Sequence, residues 1–400
     1  MARKSRSRSF VALLLFFTTL LSTASSFAQS SVPASRLAHI RHGINLSEWF
    51  AQVWDPKGYT KEHFQKWTTG SDIALIKSLG FDHVRLSVNP EPMMDAAQRE
   101  GGTAEYFGYL DAAMKMILDS GLSVELDMHP ESEFKARLAK DDDFVERFAD
   151  FWRMVAKHYS SWDQERVFFE ILNEPEMRDP YRWYGVEAKL AKAIRQGAPS
   201  QTIIATGANW DADDDLVFLE PLRDANMIYV FHFYEPTVFT HQGANWGPYY
   251  WRWIEGLRYP ASAENAGQVA KNLPEALDQL YVIRYAEDHW DASRIDSEIN
   301  QAAEWAKQNN VPLICNEFGA YRRGLDADGH IHGADPQDRA AWIKDVRTSL
   351  ERHNIGWAMW DYSGSFGLVT KKDGKATADP EIVRALGLNM PYPSRERDGV

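Results

Sequence analysis

Residues 167–175 read VFFEILNEP, a mostly apolar run that ends on Glu174 and is interrupted by Pro175. Residues 312–319 read PLICNEFG and repeat the arrangement, with Glu317 at the end of the run and a glycine two residues later. Continuous apolar runs of this length are typical of parallel strands that are buried on both faces. The two stretches therefore predict two buried strands, each with a glutamate at its carboxyl end.

A regular alternation of helical segments and β-rich runs recurs along the chain. Segments with helical periodicity end at glycine or asparagine, as at Gly80 and Asn310, and a β-rich run follows within a few residues. Glycine or asparagine after a helix supplies the left-handed residue that a short turn into a strand needs. The eight candidate strands are residues 44–46, 83–88, 122–129, 167–173, 202–207, 228–234, 312–317 and 355–361.

Eight repeated βα units predict an α/β protein whose single domain is a (β/α)8 TIM barrel. A doubly wound open sheet is the alternative, but no G-x-G-x-x-G pattern follows the first strand. One connection is oversized, because an aromatic-rich insertion over residues 237–300 follows the sixth strand. Its rings either form a wall of a cleft or pack on the outside of the barrel, and the sequence leaves both possibilities open.

The N-terminus has the pattern of a secretory signal peptide. Four basic residues precede the apolar run 10–21, and small residues at positions 26 and 28 suit cleavage after Ala28. An uncleaved membrane anchor is the alternative, but the run is shorter than the ~20 residues that span a bilayer. The predicted division is a signal at 1–28, an extension at 29–41, the barrel at 42–388 and a tail at 389–400. The expected location is secreted or periplasmic.

The charge balance limits the partners. The 400-residue chain has a formal net charge of −13, which becomes −17 without residues 1–28, since these carry four basic residues and no acidic one. Such a chain repels nucleic acid and anionic membranes, so a neutral substrate and no membrane binding after cleavage are expected. The single cysteine, Cys315, excludes an internal disulfide. A monomer is the expected state.

In a barrel, the side chains at the carboxyl ends of the strands surround one cavity. The polar and aromatic residues at these ends are Arg85, His129, Asn173, Glu174, His232, Tyr234, Glu317 and Trp360. Burying polar groups is costly in free energy, so these eight residues at six strand ends are unexpected without a shared function, and they predict one active site. The strongest alternative is a metal site built from Asp127, His129 and His232. A hydrolytic zinc site in a barrel usually needs further histidine or aspartate ligands at other strand ends, and none is evident, so we expect no metal and no cofactor.

This set of residues resembles glycoside hydrolase family 5 of clan A, the cellulase family. The resemblance covers about residues 42–388 and lies in the order of the matches: an arginine on the second strand, a histidine on the third, Ile-Leu-Asn-Glu-Pro at 171–175, His-Phe-Tyr at 232–234, Asn-Glu-Phe-Gly at 316–319 and Trp-Asp at 360–361. No single match is strong, but their order and spacing together are specific.

The resemblance implies the role of each residue. Glu174 is the acid/base, with a raised pKa, and Glu317 is the nucleophile of a retaining double displacement. Arg85 and Tyr234 bind Glu317 and keep it ionised, and Asn173 binds the sugar 2-hydroxyl. The remaining implied contacts to the sugar or to the acid/base come from His129, His232 and Trp360. Trp49 and Trp210 are possible platforms at neighbouring subsites, with core packing as the alternative for each.

These observations predict a secreted retaining β-glycosidase that hydrolyses internal β-1,4-glucosidic bonds of a glucan without a cofactor. The same mechanism on mannan, β-1,3-glucan or an exopolysaccharide is one alternative, since only loop-borne subsites separate these substrates. A carbohydrate-binding barrel without catalysis is the other, and the intact glutamate pair counts against it.

Overall fold

The chain folds around a closed barrel of eight parallel strands in the computed structural model, which describes residues 32–98, 100–326 and 329–390. The strands follow one another around the barrel in chain order, and the last pairs with the first. Their bounds are His42–Phe50, His83–Val88, Ser123–Met128, Val167–Glu170, Thr202–Thr206, Met227–Phe233, Leu313–Phe318 and Gly356–Met359. The predicted TIM barrel is therefore confirmed.

The strand that carries Glu174 is shorter than predicted. Its ladder ends at Glu170, three residues before Asn173. The backbone nevertheless continues in the same direction, because Ile171 N–H donates to the Ile204 carbonyl and Asn173 N–H donates to the Met128 carbonyl. Asn173 and Glu174 thus stand just above the barrel rim.

Helices cover the outside of the barrel and fill the connections. Their bounds are Ala34–Leu37, Lys61–Lys66, Gly70–Leu79, Glu91–Ala96, Gly102–Asp119, Ser132–Lys140, Asp142–Tyr159, Pro180–Gly197, Asp213–Leu216, Thr237–Thr240, Ala263–Ala270, Ala276–Glu287, Ala292–Asn309, Pro336–Arg352 and Pro380–Ala385, with a 3-10 helix at Tyr249–Trp253. Gly80 and Asn310 end their helices in the left-handed conformation, with φ of 102° and 55°, as the turn pattern predicts. Two short antiparallel pairs, Gly324–Leu325 with Ile331–His332 and Val369–Lys372 with Lys375–Ala378, lie outside the barrel.

The amino-terminal end of the barrel is closed by the segment that precedes the first strand. Ile40 packs among inward-facing side chains from four strands, including Phe168 and Ile314. Arg36 anchors this segment, since its guanidinium donates to the Ser200 carbonyl and to the Thr202 hydroxyl. This end is therefore packed, and the open cavity lies at the carboxyl ends of the strands.

The predicted insertion after the sixth strand consists of three helices and the 3-10 helix, before the crossover helix Ala292–Asn309 begins. Some of its aromatic rings pack in the core and others line the cleft, so both possibilities that the sequence left open occur. Phe239 and Tyr259 are buried in the core, whereas Trp246 and Trp251 line the cavity at the carboxyl ends of the strands.

The proposed signal peptide at 1–28 and the tail beyond residue 390 lie outside the described residues, and the predicted domain division stays a prediction. Across the part of the chain that the structure describes, no helix combines the length and the hydropathy that crossing a bilayer requires.

Candidate active site

Glu174 and Glu317 face each other across the mouth of the barrel. His232 lies between them, with its Nδ1 3.0 Å from Glu174 Oε1 and 3.6 Å from Glu317 Oε2. Carboxylate oxygens of the two glutamates lie within 4.8 Å of each other. A shift in register between the sixth and seventh strands creates this arrangement, since it sets His232 directly beside Glu317.

Glu317 is buried and receives two strong hydrogen bonds. Arg85 Nη1 donates to Oε1 at 2.5 Å, and the Tyr234 hydroxyl donates to Oε2 at 2.8 Å. Burial raises the pKa of Glu317 to about 7, although His232, Arg85 and the Tyr234 hydroxyl oppose the rise. The Glu317 side chain is 4% exposed, whereas that of Glu174 is 21% exposed.

Arg85 links several buried polar side chains beneath the two glutamates. Its guanidinium forms a two-pronged pair with Glu170 at 2.7 and 2.8 Å and lies 3.1 Å from Asp127. It also donates to the side-chain oxygen of Asn173 at 2.9 Å. That bond occupies the amide oxygen of Asn173, so its NH2 group is the end left to donate to a ligand.

Glu174 projects from a backbone of unusual conformation, with a φ of 43°. Its own N–H donates to Asp211 Oδ2 at 2.7 Å, and the Asp211 carbonyl accepts from the N–H of His232. A third contact to this aspartate comes from the Thr206 hydroxyl. Asp211 therefore fixes the backbone of both Glu174 and His232, and sequence reasoning missed it. Its position one residue after Trp210, close to a strand end, was the available signal.

His129 and Trp360 form one wall of the site. Their rings are stacked, with centroids 5.5 Å apart and planes 13° apart. The His129 ring is fixed by a 2.8 Å hydrogen bond between its Nδ1 and Asp127. Burial, followed by the charge of Arg85, holds the pKa of His129 well below its usual range. Burial also lowers the pKa of His232 to about 4, so both histidines are neutral at neutral pH.

The structure disfavours the alternative metal site of Asp127, His129 and His232, because Asp127 contacts Arg85 and His129 directly. Two other sets of three groups bring their ligand atoms within 4.8 Å in the described ranges: Glu170, Asp211 and His232, and Glu174, His232 and Glu317. Arg85 forms a direct ion pair with a carboxylate of each set. A cation in either set would therefore compete with a guanidinium that is already in place.

An open cleft runs over the glutamate pair and divides into two cavities. The insertion-side cavity has a volume of about 610 Å³ and reaches the loops after the fifth and sixth strands. The first-loop-side cavity has about 570 Å³ and reaches the loop after the first strand. The residues that line both are Gln52, His129, Glu174, Trp210, Trp246, Trp360 and Phe366.

The two proposed aromatic platforms have different outcomes. Trp210 is 48% exposed and lies in the lining of both cavities, a position suited to stacking on a sugar. The prediction for Trp49 is wrong, because this residue is 2% exposed and its indole N–H donates to the Phe64 carbonyl in the core. Trp54, which sequence reasoning missed, is 70% exposed and lines the first-loop-side cavity.

The sequence matches the family model described as cellulase, glycosyl hydrolase family 5, over residues 47–365. Endoglucanase C of Acetivibrio thermocellus is 29% identical over 357 residues, which are 88% of this chain and 98% of that protein. Cellodextrinase A of Ruminococcus flavefaciens is 30% identical over 325 residues, which are 78% of this chain and 82% of that protein. The crystal structure of endoglucanase Cel5A from Thermotoga maritima superposes with a TM-score of 0.69 at 26% identity, over 89% of this chain and 99% of that chain. This chain therefore belongs to the cellulase family, glycosyl hydrolase family 5, and is an endoglucanase-like glycoside hydrolase.

Proposed function

We propose that the protein is a secreted retaining β-glycosidase that hydrolyses internal β-1,4-glucosidic bonds of a glucan, with Glu174 as acid/base and Glu317 as nucleophile. The observation that carries the proposal is the close approach of the two carboxylates, whose oxygens come within 4.8 Å. Retaining enzymes hold their carboxyl groups about 5–5.5 Å apart, and inverting enzymes leave about 6.5–9.5 Å for a water molecule. The endoglucanases among the relatives support a β-1,4-glucan as substrate.

The hydrogen bonds support the division of roles. A carboxylate that receives donors from Arg85 and Tyr234 is stabilised in its charged form, which is the form that attacks the anomeric carbon. Glu174 has the neutral ring of His232 as its partner, and Nδ1 of that ring accepts the proton of a carboxylic acid in one tautomer. Glu174 is the more exposed of the two glutamates, which suits the residue that must reach the leaving oxygen.

The reaction proceeds in two steps. Glu317 forms a bond to the anomeric carbon while Glu174 gives its proton to the departing oxygen, so that a glycosyl-enzyme ester and a free sugar end result. Glu174, now ionised, takes a proton from water, and the water oxygen displaces Glu317. Asn173 donates to the sugar 2-hydroxyl, a contact that strengthens in the transition state, and Trp360 lies against the sugar ring.

Substitution of Tyr234 tests the assignment of Glu317. Because the hydroxyl donates to the carboxylate, it lowers the pKa of Glu317, so Tyr234→Phe raises that pKa. A hydrogen bond to a charged group contributes roughly 1.5–3 kcal/mol, or about one to two pKa units. The ascending limb of the pH profile of kcat/KM, which reports the free enzyme, should move to higher pH by about one unit.

The matched control for this experiment is Tyr181→Phe, which removes the hydroxyl of an 86% exposed tyrosine. Its pH profile should coincide with that of the parent. A Tyr234→Phe profile with an unmoved ascending limb would contradict the role of Glu317 as the group that must ionise.

A panel of neutral polysaccharides tests the substrate. Barley β-glucan and swollen cellulose should lose viscosity early relative to the reducing ends released, which is the mark of internal cleavage. Mannan and β-1,3-glucan should be cleaved more slowly. Faster cleavage of mannan would transfer the proposal to that polymer, and binding without turnover on every polymer would favour the non-catalytic alternative. Glu317→Gln provides the inactive baseline.

A further inference from the structure

Four buried residues close a ring of hydrogen bonds beneath Glu317. The Glu170 carboxylate accepts from Arg85 Nε at 2.7 Å, and Arg85 Nη1 donates to the side-chain oxygen of Asn45 at 2.9 Å. Asn45 Nδ2 donates to the Asn316 carbonyl at 2.8 Å, and Asn316 Nδ2 donates back to Glu170 at 3.0 Å. Asn316 directly precedes Glu317, so the ring holds both the residue before the proposed nucleophile and the arginine that contacts it.

All five N–H donors of the Arg85 guanidinium have an acceptor. Nε and Nη2 donate to Glu170 at 2.7 and 2.8 Å, and Nη2 also donates to the side-chain oxygen of Asn173 at 2.9 Å. Nη1 donates to Asn45 and to Glu317. A guanidinium that meets a carboxylate through two parallel hydrogen bonds has a fixed orientation, which attraction between point charges alone does not provide. The pair with Glu170 therefore determines which edge of the guanidinium faces Glu317.

Another buried carboxylate competes for the same guanidinium. Asp127 Oδ2 lies 3.1 Å from Arg85 Nη2, and both side chains are fully buried. Without the two hydrogen bonds to Glu170, the guanidinium can turn toward Asp127 and form a two-pronged pair there. Nη1 would then move away from Glu317. The contact between the arginine and the nucleophile thus depends on the partner at the opposite edge of the guanidinium.

Glu170 takes no direct part in the proposed chemistry. Its side chain is fully buried, and it is not among the residues that line either cavity of the cleft. Burial acts most strongly on the pKa of Glu317, followed by the charges of His232, Arg85 and Glu174. The main route by which Glu170 can influence the nucleophile is therefore the arginine that lies between them.

We propose that Glu170 is a positioning residue for the nucleophile: it fixes the orientation of Arg85 so that Nη1 stays on Glu317. Glu170 itself makes no contact with the substrate. The inference deepens the proposed function and rests on it, because it takes Glu317 as the group that must ionise and attack the anomeric carbon.

Glu125 provides a matched control, since it lies beside the ring without belonging to it. It is also fully buried, and its Oε1 accepts from the same Asn316 amide at 2.9 Å. Its Oε2 lies 3.9 Å from His83 Nε2, and neither of these two atoms has a hydrogen-bond partner in the described ranges. Burial, followed by the charge of Glu170, raises the pKa of Glu125 well above its usual range. Glu125→Gln therefore replaces a neutral acid with a neutral amide of the same shape.

The pH profile of kcat/KM in Glu170→Gln tests the proposal. The new amide places an NH2 group where an N–H of Arg85 needs an acceptor, so the two-pronged pair is lost and Nη1 leaves Glu317. Since Arg85 lowers the pKa of Glu317, the ascending limb should move to higher pH by about one unit. kcat should fall about 10–100-fold because the nucleophile is displaced, whereas KM should stay within about twofold of the parent. Glu125→Gln should keep the ascending limb and the kcat of the parent.

The direction of the shift separates positioning from charge. If Arg85 kept its place in Glu170→Gln, the loss of one competing negative charge would strengthen its effect on Glu317, and the ascending limb would move to lower pH. Glu170→Asp is the second variant, for the case in which Glu170→Gln does not fold. It keeps the charge but draws the guanidinium away by one methylene, so its ascending limb should also move to higher pH, by a smaller amount.

Three results would overturn the proposal: an ascending limb in Glu170→Gln that stays in place or moves to lower pH, an equal upward shift in Glu125→Gln, or, where Glu170→Gln does not fold, an unmoved limb in Glu170→Asp. The Tyr234→Phe profile separates this outcome from that of the proposed function. A shift in Tyr234→Phe without one in Glu170→Gln removes only this inference. An ascending limb that moves in neither variant removes the role assigned to Glu317.

Discussion

Glu174→Gln should lower kcat by about 10²–10⁴-fold, which is the contribution of a positioned general acid/base. Glu317→Gln should lower it by at least about 10⁴-fold, because the amide cannot form the glycosyl-enzyme ester. Both changes preserve side-chain shape. The loss should be smaller for Glu174→Gln on an activated aryl glycoside, since a good leaving group needs little protonation. Glu317→Gln should show no such recovery. Steady-state kinetics on one natural and one activated substrate measure both effects.

Azide distinguishes the two roles by the stereochemistry of its product. In Glu174→Ala, azide attacks the glycosyl-enzyme and should release the β-glycosyl azide. In Glu317→Ala, azide takes the place of the missing nucleophile and attacks directly, so the α-glycosyl azide should form. Proton NMR separates the anomers. The opposite pair of products would exchange the two roles. Glu165→Gln serves as the control, because this glutamate pairs with Arg36 at the closed end of the barrel and its loss should leave kcat unaltered.

The architecture could be predicted because it depends on local patterns. The barrel strands are near-continuous apolar runs, and residues such as Gly80 and Asn310 mark where helices end. The placement of polar residues at strand ends follows from the barrel itself, which is why Glu174, Glu317, His232 and the others meet in one cavity. The sequence thus predicts which residues meet, but it does not predict the hydrogen bonds between them.

What the sequence could not predict depends on tertiary contacts. The first strand extends to Phe50, so Trp49 lies within it, and its indole N–H donates to the backbone of the helix Lys61–Lys66 at Phe64. No pattern in the sequence reveals this extension. Asp211 contacts Glu174 through a backbone with a φ of 54°, a conformation that the sequence does not indicate. The raised pKa of Glu317 arises from burial, which depends on the whole assembled barrel.

The free energy of unfolding should fall by about 3–5 kcal/mol in Arg85→Met, the usual cost of removing one partner from a buried ion network. The Arg85 side chain is 0% exposed and is the positive group that lies directly against Asp127, Glu170 and Glu317. Methionine fills similar space but leaves three carboxylates close together without that charge. Urea unfolding at pH 7 measures the loss. The control is Arg153→Met, which breaks an exposed pair with Asp150 and should cost at most about 1 kcal/mol.

The loss of stability in Arg85→Met should also depend on pH. The direction of that dependence distinguishes the effect of the lost charge from that of lost packing. The folded-state pKa is about 6 for Asp127 and about 7 for Glu317, both above the ordinary value because of burial. Arg85 opposes both rises, so its removal raises the two pKa values further. The folded protein then binds more protons than the unfolded chain, and stability falls as pH rises through this range. Arg85→Met should therefore lose more stability at pH 8 than at pH 5. A loss that is equal at both pH values would mean that packing, and not the uncompensated carboxylates, accounts for the effect.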